Sequence, residues 1–280
     1  MIYEIISKLL SESLLSLYPV FVKLINLPIG IQLWSRFFTY ILISLFFVNI
    51  KFIYKYLFSY NAILLSLITM AHVYTSYRGF QLLESGVAYV IFYTYPLFIL
   101  LLSGERINPI ILLTLIGVYI LATDKKENEK KDDESSEIKE RFKYEGITMI
   151  LLASLTEALI YFVVRRIKTP NNWNHLFISY FLGAVILTVY YRKNITNDEV
   201  GINLNNRVII SLILNIIIGL LGYLLRFYAI SRLSPEIYAP LSYFGIIMAF
   251  FYGVLFSGDI ITIKKIIGSL MVIFPLILNK

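Results

Sequence analysis

The chain has 280 residues, 58% of them apolar and 15% charged, with a mean hydropathy of +0.75. That apolar share lies far above the usual globular range and specifies a protein of the lipid bilayer, with almost nothing left over for a soluble domain. The lack of cysteine excludes disulfides, thiolate metal sites and a cysteine nucleophile, and a net charge of +7 borne mainly in loops and helix ends reports membrane orientation rather than nucleic-acid binding.

A hydrocarbon core about 30 Å thick takes about 20 apolar residues of helix, and the 280 residues read as ten such spans with short connections. Span 1, about Ile5 to Ile25, continues from the N-terminus without the cleavage pattern of a removable signal, so it is expected to stay. It carries Glu12 between Ser11 and Ser13, then Pro19, an acid and a kink that each need a partner or a cavity. Span 2 starts at Pro28, runs to about Asn49 and holds Trp34-Ser35-Arg36-Phe37, with Lys51 and Lys55 marking the next surface. Span 3, about Tyr60 to Phe80, turns polar and aromatic through His72, Tyr74, Tyr77 and Arg78.

The tight link Leu83-Glu84-Ser85-Gly86 makes spans 3 and 4 an antiparallel hairpin. On span 4, Tyr89, Tyr93 and Pro96 recur at i, i+4 and i+7, so the tyrosines share a face with a proline that can bend the helix. Ser103-Gly104-Glu105-Arg106 closes it, and span 5, about Ile107 to Thr123, is an aliphatic packing helix whose close-approach residue is Gly117. Residues 124–143 alternate acids and bases and read as a solvated linker between a first unit, 1–123, and a second, 144–280.

Span 6, about Tyr144 to Val164, carries Glu157. Span 7, about Trp173 to Tyr191, includes His175, and Asn194-Ile195-Thr196 beyond it matches a glycosylation acceptor. Span 8, about Val208 to Ile230, holds Asn215, Gly219, Gly222, Tyr223 and Arg226, and a second tight link follows at Leu233-Ser234-Pro235-Glu236. Span 9, about Ile237 to Ser257, has Tyr238, Pro240 and Tyr243 and ends in Ser257-Gly258-Asp259; span 10 carries Gly268 where span 5 has Gly117.

The second unit echoes the first in feature order. Glu12 and Glu157 stand 145 residues apart, Leu83 and Leu233 as well as Tyr93 and Tyr243 stand 150 apart, and the two Ser-Gly-acid junctions 154. Such drift is what loop-length changes between two copies produce. Five spans per copy is an odd number, so the copies insert from opposite sides. The expected fold is all-α integral membrane, ten transmembrane helices as two inverted five-helix repeats.

The hairpin, the Tyr-Pro fourth span, the Gly-Glu junction, the glycine-bearing fifth span and Trp34-Ser35-Arg36-Phe37-Phe38 together resemble the EamA-type family of the drug/metabolite transporter superfamily. The likeness covers both halves. It implies a carrier with a central cavity lined by spans 1, 3, 4, 6, 8 and 9, spans 5 and 10 outside, and both termini cytoplasmic. Asp259 stands where a Glu is usual in that family, and the likeness does not specify the substrate.

Among candidate binding or coupling residues, Glu12 and Glu157 lead, because an acid inside a span has to be neutral, paired or wet, and switching among those states can couple protons to transport. Lys8, one turn before Glu12, offers a bland alternative as its partner near the interface. Arg36 suits a substrate carboxylate or phosphate, or a buried acid. His72, Tyr74, Tyr77, Tyr89, Tyr93, Tyr223 and Tyr243 offer an amphipathic lining, set against the aromatic belts expected at both interfaces. Pro96 and Pro240 are candidate gating bends. Arg78 and Arg226, within a turn of helix ends, read as snorkelling to headgroups, and His72 and His175 without cysteine make no case for a metal.

No P-loop, HExxH or serine-hydrolase pattern is present, so no catalytic residue and no cofactor are assigned. The expected function is a secondary transporter of a small organic metabolite, an amino acid or related polar or amphipathic compound, working by alternating access. The alternatives are an exchanger of nucleotide sugars or other phosphorylated metabolites, and a non-transporting membrane scaffold or lipid-handling subunit. Expected partners are the small-molecule substrate, protons as candidate coupling ions, and the bilayer, but not nucleic acid; a homodimer is compatible with this reading. With the mixed linker set aside, bases on the N-terminal side outnumber those opposite, which favours both termini in the cytoplasm, as the family resemblance implies, and the expected location is the cell (plasma) membrane.

Overall fold

The computed structural model describes residues 2–25, 27–104, 112–123, 133–194 and 205–278. The described residues are helical, with no strand among them, as an apolar chain in lipid requires if each backbone N–H and C=O is to find a partner within its own segment. The first half comprises α1 (Ile2–Leu15), α2 (Tyr18–Leu24), α3 (Ile29–Ser44), α4 (Ile50–Tyr56), α5 (Tyr60–Leu82), α6 (Ser85–Phe92), α7 (Tyr95–Ser103) and α8 (Leu112–Thr123). The second comprises α9 (Asp133–Arg166), α10 (Asn172–Asn194), α11 (Asn206–Ile230), α12 (Pro235–Leu241), α13 (Phe244–Tyr252) with a π turn at Gly253–Ser257, and α14 (Ile263–Leu278).

Six stretches are long and apolar enough to cross a membrane, namely Ile2–Leu24, Ser85–Ser103, Arg141–Arg166, Asn172–Tyr190, Asn206–Ile230 and Pro235–Ser257, and the bent pair α4–α5 makes a seventh if it is counted as one span. The protein is a multi-pass integral membrane protein. α3, α8 and α14, described over 16, 12 and 16 residues, are apolar but shorter, so helix length alone does not establish ten crossings.

Three of the long stretches are broken near proline. α1 yields to α2 two residues before Pro19, α6 yields to α7 at Tyr93-Thr94 just before Pro96, and α12 yields to α13 at Ser242-Tyr243 just after Pro240. Proline lacks the N–H and crowds the preceding turn, which frees backbone carbonyls inside the bundle. α3 stops at Ser44, short of the expected end. Asn49 then caps α4 by accepting from the Phe52 amide at 3.0 Å, and α4 lies at 93° to α5. Residues 133–143, expected as linker, are the first turns of α9, while 124–132, Glu105, Arg106 and the Ile195-Thr196 part of the sequon lie outside the described residues.

α1 packs along α11, α5 along α9, α10 against α3 and α5, and α8 along α14. Small residues permit the closest contacts. A side-chain carbon on Gly222 would meet Leu15 at 2.6 Å, and one on Gly268 would come within 3.1 Å of the Gly117 carbonyl, so the two glycines matched in sequence do bring α8 and α14 together. Ser11 donates to the Gly222 carbonyl at 2.8 Å and Ser16 to the Gly245 carbonyl at 2.9 Å, tying α1 to α11 and α13. α11 shows the resulting division of faces. Ile213, Ile217 and Leu221 are exposed toward lipid, whereas Asn215, Gly219, Gly222 and Arg226 face the interior.

Candidate functional site

Four charged side chains from three helices meet at the centre. Lys8 and Glu12 lie one turn apart on α1, Glu157 comes from α9 and Arg226 from α11, and all four are buried. Arg226 Nη1 donates to Glu157 Oε1 at 2.7 Å, while Nη2 donates to Glu12 Oε1 and Oε2 at 3.2 and 3.3 Å. Lys8 Nζ donates to Glu12 and, at 3.0 Å, to the Tyr95 hydroxyl, and lies 3.6 Å from the centre of the Tyr238 ring. Tyr93 and Tyr95 both donate to Glu12, Tyr95 at 3.2 Å. Two acids thus meet two bases and formal charge cancels, which is the condition for keeping ions out of water.

Two expectations are corrected here. Arg226, read as snorkelling, is only 2% exposed and bridges the two acids. Lys8 does pair with Glu12, but in the interior rather than near an interface.

His72 on α5 joins this group from the side. Its Nδ1 lies 3.0 Å from the Ala153 carbonyl and 3.3 Å from Thr156 Oγ1, and its Nε2 lies 3.0 Å from the Tyr223 hydroxyl and 3.3 Å from Glu157 Oε2. A carbonyl only accepts, so Nδ1 carries a hydrogen and the neutral ring presents a bare Nε2, which accepts from Tyr223. That lone pair also faces a carboxylate oxygen. A second proton on Nε2 turns this opposition into an ion pair.

Arg36 on α3 forms a separate centre. Its Nη1 donates to the Tyr77 hydroxyl at 3.2 Å and its Nη2 to the Tyr180 hydroxyl at 2.8 Å; Tyr77 in turn donates to Asn215 Oδ1 at 2.7 Å. The rings of Tyr18, Tyr40, Tyr77, Tyr180 and Tyr223 have their centres 4.7–5.6 Å from the guanidinium carbon. No carboxylate among the described residues lies within ion-pair distance of it.

The remaining candidates are scattered. Tyr89 donates to the Leu15 carbonyl at the α1–α2 break, and the Tyr243 hydroxyl is buried without a hydrogen-bond partner among the described residues. Pro96 and Pro240 sit at the two other breaks. Tyr74, expected in the lining, is 47% exposed on the outer face of α5. Arg78, four residues before the end of α5, pairs with Glu145 at 2.6 Å in a half-buried position. Sequence reasoning does not select Tyr95, Tyr180 or Tyr238 for the site, since 22 tyrosines give no way to choose. Arg226 did carry a signal, since Asn215, Gly219, Gly222 and Arg226 fall at spacings of four, three and four on one helical face.

The two ends of the bundle differ. At the end where α1 begins, a cavity of about 990 Å³ is lined by Ser7, Arg165, Lys168, His175, Leu225 and Arg232 among others, and Ser7 and Leu225 are the chain neighbours of Lys8 and Arg226. At the other end the α5–α6 link is tied to the second half. Lys265 pairs with Glu84, the Gly86 amide donates to Asp259 Oδ2 at 3.1 Å, and the Ser85 and Ser257 hydroxyls lie 3.4 Å apart.

Residues 144–279 match the model of the EamA-like transporter family. A solved crystal structure of a protein shares the fold, with a TM-score of 0.61 at 13% identity over 98% of this chain and 93% of that one. No curated protein matches the chain.

Proposed function

We propose that the whole chain is a secondary transporter moving a small organic metabolite, an amino acid or related polar or amphipathic compound, by alternating access, a reading supported by the match of residues 144–279 to the EamA-like transporter family. In this reading residues 1–123 are the first repeat and 144–280 the second, inverted one, with α3, α8 and α14 as the remaining spans. The packing supports it. If α1–α2, α3, α5, α6–α7 and α8 correspond in order to α9, α10, α11, α12–α13 and α14, then exchanging the halves turns the α1–α11 contact into α9–α5 and the α6–α13 contact into α12–α7, and leaves α3–α10 and α8–α14 unchanged, all of them contacts of the fold.

The observation that carries the mechanism is the neutral cluster of Lys8, Glu12, Glu157 and Arg226, adjoining an open cavity at one end of the bundle and facing a latched surface at the other. A carrier needs one closed end at a time. With the termini in the cytoplasm of a plasma-membrane protein, the cavity faces the cytoplasm and the Glu84–Lys265 latch closes the outside. His72 and Glu157 serve as the proton-accepting pair, with Arg226, Tyr223, Lys8 and Glu12 as the groups that sense the change. Breaks at Thr94 and Ser242 are where the fourth and ninth spans bend between states.

Purified protein in proteoliposomes tests this, with uptake of amino acids and nucleotide sugars measured against empty vesicles under an imposed pH gradient. Saturable uptake of a solute, made insensitive to the gradient by Glu157→Gln, is the expected outcome. A protein that moves none of them and tolerates Glu157→Gln without effect is a scaffold rather than a carrier.

A further inference from the structure

Arg226 and Arg36 are both buried guanidinium groups, but they are provided for differently. Arg226 has two carboxylates, whereas Arg36, 1% exposed, has tyrosine hydroxyls, an amide beyond one of them, and none. A buried cation without an anion is costly, and intramembrane charges that persist mark substrate paths. The donors around it are also unspent. Arg36 Nε, like Arg226 Nε, and Asn215 Nδ2 are buried without hydrogen-bond partners among the described residues, so two donor nitrogens flank Tyr77 with nothing to accept from them.

The rest of the cage fits the same ligand. Five tyrosine rings surround the guanidinium, and the Tyr18 and Tyr40 hydroxyls, 3.4 Å apart, lie against Gly219, where any side chain would displace them. Because Arg36 already fills the cage with a cation, the cage has no call for a cationic ligand. The cavity at the α1 end adds the long-range part: its lining includes Arg165, Lys168 and Arg232 and, among the described residues, no acid, so it concentrates anions.

Resting on the carrier reading above, we propose that the transported compound is an organic carboxylate, held side-on by Arg36 Nε and Nη2 with Asn215 Nδ2 as a third donor, its apolar part against the tyrosine rings. A planar fork and a planar carboxylate match in two parallel hydrogen bonds. The carboxylate takes the place of the Tyr180 hydroxyl on Nη2. The loaded site is then neutral, like the Arg226 cluster beside it.

The test is a melting-temperature titration of the full chain in lipid nanodiscs with benzoate, 4-hydroxyphenylacetate, L-leucine and L-phenylalanine, each beside its amide. At least one acid is expected to stabilise the protein where its amide does not. Arg36→Gln weakens that acid by about tenfold or more, without lowering the melting temperature of the ligand-free protein. Asn215→Asp changes one atom and puts a carboxylate within one hydroxyl of Arg36, so it raises the ligand-free melting temperature and abolishes the response to acids. The proposal is overturned if no acid acts, if amides act as well as acids, or if both variants keep the response. Uptake of an uncharged or cationic solute by the same protein would sink the carboxylate site and leave the carrier standing; acids that bind through Arg36 yet never cross a proteoliposome would do the reverse.

Discussion

Arg226 lies between Glu12 and Glu157, 3.2 Å from one carboxylate and 2.7 Å from the other, and so joins a helix of the first half to a helix of the second through one guanidinium. Its removal leaves two buried acids with only Lys8 and His72 nearby. Arg226→Leu is therefore expected to destabilise the protein by about 3–5 kcal/mol, read as a fall in unfolding midpoint in denaturant. Adding Glu157→Gln to that variant removes one orphaned charge and should recover part of the loss. If the two changes simply add, the three groups do not form one unit.

Glu157 also faces His72 without a hydrogen bond between them, its Oε2 set 3.3 Å from the bare His72 Nε2. In the carrier reading proposed above, protonation of the ring, and the exchange of that proton with the carboxylate, is where an imposed pH gradient acts. Glu157→Gln keeps the shape and an acceptor oxygen but cannot carry the charge. Gradient-driven uptake should fall to the level of uptake without a gradient, while counterflow of substrate between equal pH compartments continues. Unchanged gradient dependence would remove His72 and Glu157 from the coupling role.

How much of this was legible follows from what each residue looks like in a string. Glu12 and Glu157 stand out because an acid in an apolar run needs a partner or a cavity, and both do lie in the central cluster. Arg226 was misread because it falls only four residues before the end of α11, where a long side chain usually reaches water; what buries it is the packing of α1 and α9 over that last turn, a tertiary fact. The helix breaks were readable from proline. The tyrosines were not: Tyr180 holds Arg36 and Tyr74 faces outward, and nothing local distinguishes them.

Tyr93 and Tyr243, matched at 150 residues, occupy unlike states. Tyr93 donates to Glu12, whereas the Tyr243 hydroxyl has no partner among the described residues. Tyr93→Phe should cost about 1–3 kcal/mol by removing a hydrogen bond to a charged group. Tyr243→Phe should leave stability unchanged or raise it. If alternating access exchanges the roles of the two halves, Tyr243→Phe still slows turnover, because its hydroxyl is needed in the other state. Comparing melting temperature with uptake rate for both variants separates the two effects; equal losses of stability would contradict the asymmetry.

The latch at Glu84–Gly86 can be tested by chemistry that the chain itself makes simple. With no cysteine in the sequence, Ser85→Cys installs the only thiol, at a position buried between Lys23 and Ser257. A charged, membrane-impermeant thiol reagent should label it slowly. Lys265→Met removes the ion pair with Glu84, and Asp259→Asn weakens the bond from the Gly86 amide, so the two together weaken two charged contacts that hold the α5–α6 link against the second half. Labelling of the introduced thiol should then rise by about tenfold, the equivalent of some 1.4 kcal/mol shifted toward the open end. Substrate present on the cavity side should oppose that rise if opening at one end requires closure at the other. Fast labelling of Ser85→Cys in the otherwise unaltered chain would mean that this end is not closed, and the assignment of the cavity as the single open end would fall with it.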